Sequence, residues 1–575
     1  MNIAPYQPRQ FVPVDIDLTE TEQLAPLFDQ LKERLEKMVC LPELEVWLRD
    51  HSELCAAISE SSGLAYIRMT CQTDDEEREK AYLKIVEVVD PWLKPRQFEL
   101  SKLLVEGPWL RQLPPEYEVF RRSVEMSVRL YRPENVARET EQARLSQQYQ
   151  KLIGAMTVQW EGQERTLMQM ARIQEETDRS RREEAWKLMA ARRLQDREKL
   201  DEIFQKLLDL RAEIAKAADF PDFRAYAFAM YERFDYTPED CIRFQDSIEK
   251  FFVPLARDLQ RKRQSKLGVE TLRPWDLAVD PDGRKPLRPF EKADELLTKS
   301  QAIFSKLDSR LSSYFELLRS RELVDLENRK GKAPGGYQST LQEARVPFIF
   351  MNSVGVHRDI ETMVHEAGHA FHAVASRHHE MLSYRSAPIE FCEVASMSME
   401  LLTAPHWTEF YSEEDARRAR REHLEGIIKF FPWMATVDAF QHWLYTNPGH
   451  TAAQREAAWV GLMDRFGGIE NWGGWEAARA AMWHRQLHIF EIPFYYVEYG
   501  IAQLGALQIW TQAQKDVAAA LNSYLNGLRL GGSRPLPELF AAANIRFDFS
   551  EDTIAPLVDA VRAELAELAE EAVPA

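Results

Sequence analysis

Leu, Met, Ile and Ala recur at three- and four-residue steps through residues 137–218, the period of amphipathic helices and not of strands. No heptad is sustained, so the pattern predicts packed helices with solvated charged faces and no coiled coil. Upstream, residues 16–130 read as helices broken by turn residues. Thr19 and Glu22 stand at capping-box spacing ahead of the run Leu24 to Met38. A polar break at 266–290 contains Arg273-Pro274-Trp275-Asp276 and Asp280-Pro281-Asp282-Gly283. Helical periodicity resumes from Phe290 to about Asn328. Gly331 to Tyr337 is then loop, and Val346-Pro347-Phe348-Ile349-Phe350-Met351 is the best strand candidate in the chain. From Arg358 the pattern is helical nearly to the end. The expectation is a mostly α protein with one small sheet just ahead of residue 358.

Composition changes this picture little. With 575 residues, two or more packed subregions are expected, and 45% hydrophobic with 29% charged residues is ordinary for a soluble protein. The net charge of −19 comes with no basic stripe, which argues against a nucleic-acid partner. Five scattered cysteines form no metal knuckle or redox pair, as in a reducing compartment. No secretory pattern opens the chain and no apolar run is long enough for a membrane span, so a cytoplasmic location is expected.

The chemistry lies in His365-Glu366-Ala367-Gly368-His369. Residues four apart on a helix lie one above the other, so two imidazoles can share one Zn²⁺. The intervening Glu366 can address a water on that metal as a general base without being a ligand. Chance produces roughly two such pentapeptides per hundred chains of this composition, so the flanks must decide. They are apolar (Met363, Val364, Ala367, Ala370, Phe371), and buried histidines need partners. Gly368 costs a helix about 1 kcal/mol relative to Ala, which points to close approach of a neighbouring element. Glu361 either reaches the second ring nitrogen of His365 or simply faces solvent.

A catalytic zinc takes a third protein ligand and keeps one position open. The pattern with a third His ten residues on is absent, and His372 is poorly placed to converge with 365 and 369 on one rigid helix. A second apolar helix, Ala387 to Leu402, offers Glu390, Glu393 and Glu400. Glu393 is central and flanked by small residues, and ranks ahead of the other two.

Four stretches in order then carry a family resemblance: Lys332 to Tyr337 (KAPGGY), Glu361 to His372 (ETMVHEAGHAFH), Phe391 to Ser396 (FCEVAS) and His488 to Gly500 (HIFEIPFYYVEYG). Spanning roughly 170 residues, they resemble the thimet oligopeptidase and oligoendopeptidase F family of zinc metallopeptidases, most closely its bacterial branch. The resemblance implies a helical ellipsoid split by a deep substrate channel, with one zinc on His365, His369 and Glu393. It implies an N-terminal helical region over 1–160 and a catalytic region over 161–575. It also implies that His488, Tyr496 and Tyr499 stabilise the oxyanion, and that Gly335, Gly336 and Tyr337 form a loop covering the substrate. The one-residue-shorter spacing from His488 leaves the choice among Tyr495, Tyr496 and Tyr499 open. Apart from the resemblance, these aromatics read as core packing and the Gly-rich loop as a connecting turn.

The implied activity is hydrolysis of internal bonds in short, unfolded peptides. Two rivals remain. A metallocarboxypeptidase would need a cation for the terminal carboxylate, for which Arg377, Arg385 and Arg485 are candidates. A zinc-stabilised binding protein would have no use for Glu366 as a base.

Overall fold

A computed structural model of the chain describes residue 1 and residues 3–570. Leu24, Leu27, Phe28 and Leu31 recur at helical spacing on Thr21–Glu36 and bury against Trp47, Leu48 and Leu54 of Leu41–Cys71. This small core draws on residues 12–113 and is completed by Met381 and Tyr384 from far along the chain. A much larger core takes in Ile67 of helix Leu41–Cys71 and then residues from Leu145 to Leu568. No helix among the described residues is long and apolar enough to cross a membrane.

The chain is mostly helical with small sheets, as the periodicity predicts, and three local readings need correction. Thr19 does not cap the first helix. Its N–H and hydroxyl both donate to Asp17, at 2.9 and 2.8 Å, and the helix begins at Thr21 without a side-chain cap. Asp17, two residues back, offers Thr19 a carboxylate acceptor in an Asx turn.

The helical reading of 137–218 misses a hairpin, β1 (Thr157–Trp160) with β2 (Gln163–Thr166), set between helices Pro133–Gly154 and Arg179–Gln195. Val158 and Trp160 point to one side and are buried. Glu161 and Gly162 both adopt positive φ (51° and 76°), the backbone of a tight two-residue hairpin turn. The helical run to Asn328 also ends early. Ser309–Ser320 is its last helix, and after Glu322 at φ 54° the chain forms strand β3, Val324–Glu327.

β3 runs parallel to β5 (Val346–Ser353), and β4 (Tyr337–Leu341) runs antiparallel to β5 on its other side. β5 is buried on both faces, which explains its unbroken apolar run. Pro347 is tolerated there because β3 pairs only from Ile349 onward. Lys332 ties the Gly-rich loop to the sheet, its ammonium reaching the carbonyls of Asp325, Glu327 and Met351 at 3.0, 2.8 and 2.5 Å.

β5 leads into the motif helix, His357–Ser376. Asp359 secures its start by accepting from the N–H groups of Val354, Gly355 and Val356, at 2.8, 2.8 and 3.0 Å. The motif helix crosses a second buried helix, Ile389–Thr403, at Gly368. A Cβ on Gly368 would lie 2.5 Å from Ser396 Cα and 2.6 Å from the Ala395 oxygen. Both are backbone atoms and cannot swing aside. Gly368→Ala should therefore force the two helices apart, cost about 1–3 kcal/mol as overpacking does, and lower the thermal midpoint. An unchanged midpoint would show that the crossing is slack.

Candidate metal centre and active site

The crossing sets the site. His365 and His369 project from one helix and Glu393 from the other, with Glu393 Oε2 at 3.3 Å from His365 Nε2 and 3.6 Å from His369 Nε2. The imidazoles stand nearly perpendicular, ring centres 5.0 Å apart. Donors bonded to Zn²⁺ at about 2.0–2.1 Å in a tetrahedron sit about 3.3–3.4 Å from one another, so this spacing fits the ion.

Electrostatics points the same way. Burial opposes charge on His365, but its hydrogen bonds to Glu393 and Glu400 outweigh burial and hold its pKa well above the usual imidazole value. Burial also opposes charge on Glu393, yet His365 and His369 hold it down at about 2. The cluster thus draws positive charge to the point where the three donors meet. Burial pushes His369 down to about 4, leaving its ring neutral and able to donate a lone pair.

The three acids of the second helix divide the work. Glu390 is turned away and accepts from the Tyr236 hydroxyl at 2.7 Å. Glu393 faces both histidines, with Ser396 Oγ donating to it at 2.8 Å. Glu400, two turns on, lies 2.6 Å from His365 Nδ1 and so orients that ring from behind. Glu361 neither orients His365 nor faces solvent. It lies 3.1 Å from His423 Nδ1, and His423 Nε2 in turn lies 3.7 Å from Glu400. No sequence pattern marks His423, which comes from the long helix Glu413–Thr446, 62 residues beyond Glu361. His372 faces Phe391, not the cluster.

Glu366 is 8% exposed, and burial, aided by the charge of Glu393, raises its pKa to about 7. The Gln338 backbone of β4 lies near enough to act on it, which sets the edge strand beside the carboxylate. The Gly-rich loop passes the same helix one turn earlier, where a Cβ on Gly336 would touch Thr362. Gly335 and Gly336 are exposed, whereas Tyr337 stacks on Phe350 and shares a 2.6 Å hydrogen bond with Thr70.

The tyrosine segment closes the other side. Phe494 holds a left-handed backbone (φ 69°), its N–H donating to Gln441 Oε1 at 2.7 Å and its carbonyl accepting from Arg233 at 2.5 Å. The turn presents Tyr495 and the helix Tyr496–Ala513. His488 lies 4.8 Å from Tyr496 and 6.0 Å from Tyr499, ring centre to centre, and Gln486 sits 2.7 Å from its Nδ1. Tyr495 packs edge-on against Tyr499, ring centres 5.3 Å apart, and both feel the charge of Glu393. Tyr496 instead meets Trp433 and Arg485. Burial lowers His488 to about 4 and raises Tyr496 and Tyr499 to about 12, so all three are neutral donors near pH 7. A cavity of about 2050 Å³ reaches the motif helix at His357 and Arg358, two turns before His365.

With this geometry in place, comparison with known proteins is decisive. The model of "Peptidase family M3" matches residues 172–558, and that of "Peptidase M3 N-terminal domain" matches 11–131. The chain belongs to peptidase family M3. The family is zinc-dependent. M3 relatives include group B oligopeptidase PepB of Streptococcus agalactiae, 21% identical over 63% of this chain and 59% of that protein. Oligopeptidase PepF of Bacillus subtilis is 25% identical over 43% of this chain and 36% of that protein. The matches thus span less than two thirds of these relatives' lengths. In three dimensions the likeness is wider. PZ peptidase A, solved with an inhibitor, superposes with a TM-score of 0.87 at 31% identity, over 97% of this chain and 99% of that one. Oligoendopeptidase F of Enterococcus faecium shares the M3 fold at a TM-score of 0.63 and 16% identity, over 96% and 98% of the two chains.

Proposed function

We propose that this M3 metallopeptidase is a zinc endopeptidase that hydrolyses internal bonds of short, unfolded peptides. The observation that carries the proposal is the meeting of two imidazole nitrogens and one carboxylate oxygen at 3.3–3.6 Å beside the buried Glu366. One Zn²⁺ on His365, His369 and Glu393 would polarise the scissile carbonyl and lower the pKa of a water towards ~7. Glu366 takes the proton of the attacking water and returns it to the leaving amine, a double task suited to a carboxyl near pKa 7. Tyr499 and His488, both neutral donors, hydrogen-bond the developing oxyanion, and Tyr496 helps to hold the peptide backbone. Among the described residues β4 pairs with β5 on one side only, so a peptide can add to its other edge next to Glu366. Gly335 and Gly336 cover that edge.

The rival of C-terminal trimming loses one anchor, because Arg385 already donates to the carbonyls of Gln342, Glu380 and His379. Arg377 lies over Tyr6, and Arg485 over Trp433. Cleavage of one peptide of about ten residues with a free and with an amidated C-terminus separates the readings. Internal cuts at similar rates in both forms are expected. Release of single C-terminal residues, lost on amidation, would overturn the endopeptidase reading.

Glu400 acts through His365. Glu400→Ala should weaken zinc retention about 10–100-fold, read by competition with a chelator. Unchanged retention would deny Glu400 any part in holding the ligand.

A further inference from the structure

Among the described residues, two groups bring three metal-ligating atoms within 4.8 Å of one another. One is His365, His369 and Glu393. The other, Cys241, Asp438 and His442, is 1%, 0% and 5% exposed and takes no part in the proposed peptide chemistry. We propose that this second group is a structural site for a divalent transition ion, best suited to Zn²⁺.

Its architecture is that of two facing helical pairs. Cys241 and Gln245 lie one turn apart on helix Pro238–Leu267, and Asp438 and His442 one turn apart on Glu413–Thr446. Gln245 donates to Asp438 Oδ2 at 2.7 Å, and the reversed amide would offer its oxygen as a fourth donor. The remaining polar atoms lack protein partners: Asp438 Oδ1 and both ring nitrogens of His442 are buried without a hydrogen bond. The ion pair recorded for Asp438 is with His442, at 3.5 Å, and no Lys or Arg pairs with it among the described residues. A fully buried carboxylate with so little compensation is costly, and a cation removes the cost. Thiolate, imidazole and carboxylate together are a zinc donor set, and drawing in by about 1 Å brings them to bonding distance. Burial, with Asp438 nearby, holds the Cys241 thiol well above its usual pKa, so binding displaces a proton.

The site lies under the tyrosine segment. His442 is 5.3 Å from Phe494, ring centre to centre, and follows Gln441, which holds the Phe494 N–H. A bound ion would therefore lock the turn that presents Tyr495 to Tyr499.

Metal analysis of the full chain, grown with zinc and dialysed, tests this. About two zinc ions per chain are expected in the wild type, and about one in Cys241→Ser, in His442→Gln and in the His365→Ala/His369→Ala double variant. Cobalt(II) reconstitution gives a readout that the catalytic set cannot produce, since that set contains no sulfur. A near-ultraviolet sulfur-to-cobalt band should appear in the wild type and in the double variant, and vanish in Cys241→Ser. One zinc in the wild type with no such band would overturn the proposal, even if the variants fail to fold. A band that persists in Cys241→Ser would also overturn it, by assigning the sulfur to another cysteine.

Discussion

Glu366→Gln should abolish nearly all peptide cleavage, with kcat falling about 10⁴-fold, the upper end for a positioned acid–base group. The expectation is high because Glu366 serves twice, first removing a proton from water and then supplying one to the amine. Glutamine keeps the size and shape of the side chain, so the fold has no reason to change. Zinc should stay near one ion per chain in the site of His365, His369 and Glu393, because Glu366 is not among the three donors that converge there. Turnover of a quenched fluorescent peptide, with zinc measured on the same samples, checks both halves. Wild-type turnover would remove Glu366 from the chemistry. Equal zinc with no turnover in either protein would favour a binding role.

Glu393→Gln should do the opposite to the metal. The carboxylate touches both imidazoles and carries the charge that balances a dication, which an amide lacks. Zinc affinity at this site should fall by more than about 100-fold, the upper figure for residues that only support a ligand, and activity should fall with it. Measurement of bound zinc and rate during titration with a chelator distinguishes this from the Glu366 case. A Glu393→Gln protein that kept its zinc would return the third-ligand role to Glu400, which approaches His365 from its other nitrogen.

The contrast between these acids shows how far the chain could be read before its structure. His365, Glu366 and His369 are legible because helical spacing alone brings them together. The crossing at Gly368 was legible as a cost without a local benefit. Glu390, Glu393 and Glu400 were not separable by residue type, since all three sit on one apolar helix. Its central place among small residues ranked Glu393 first, the family resemblance supported that choice, and three-dimensional contact shows what each acid touches. Residues 393 and 400 are two turns apart, so they share a face and meet His365 from opposite sides. His423 had no signal, because its contact with Glu361 joins distant helices. The β1–β2 hairpin was hidden by strong helical periodicity on both sides and by a Glu-Gly turn in place of the usual Asn-Gly.

The backbone contact at Gly368 also constrains how the sequence can drift. Glycine is the one residue that leaves no side-chain atom between the helices, so any replacement fails there for the same steric reason. Ala395 and Ser396 are constrained differently, because what they present to Gly368 is their main chain. The Ala395 side chain can vary wherever the surroundings permit, provided the helix holds its path, whereas Ser396 must keep the hydroxyl that donates to Glu393. Tolerance to mutation around the candidate metal site should thus be lopsided, with the motif helix intolerant at the point of contact and its partner freer at Ala395, although both border the same cluster of donors.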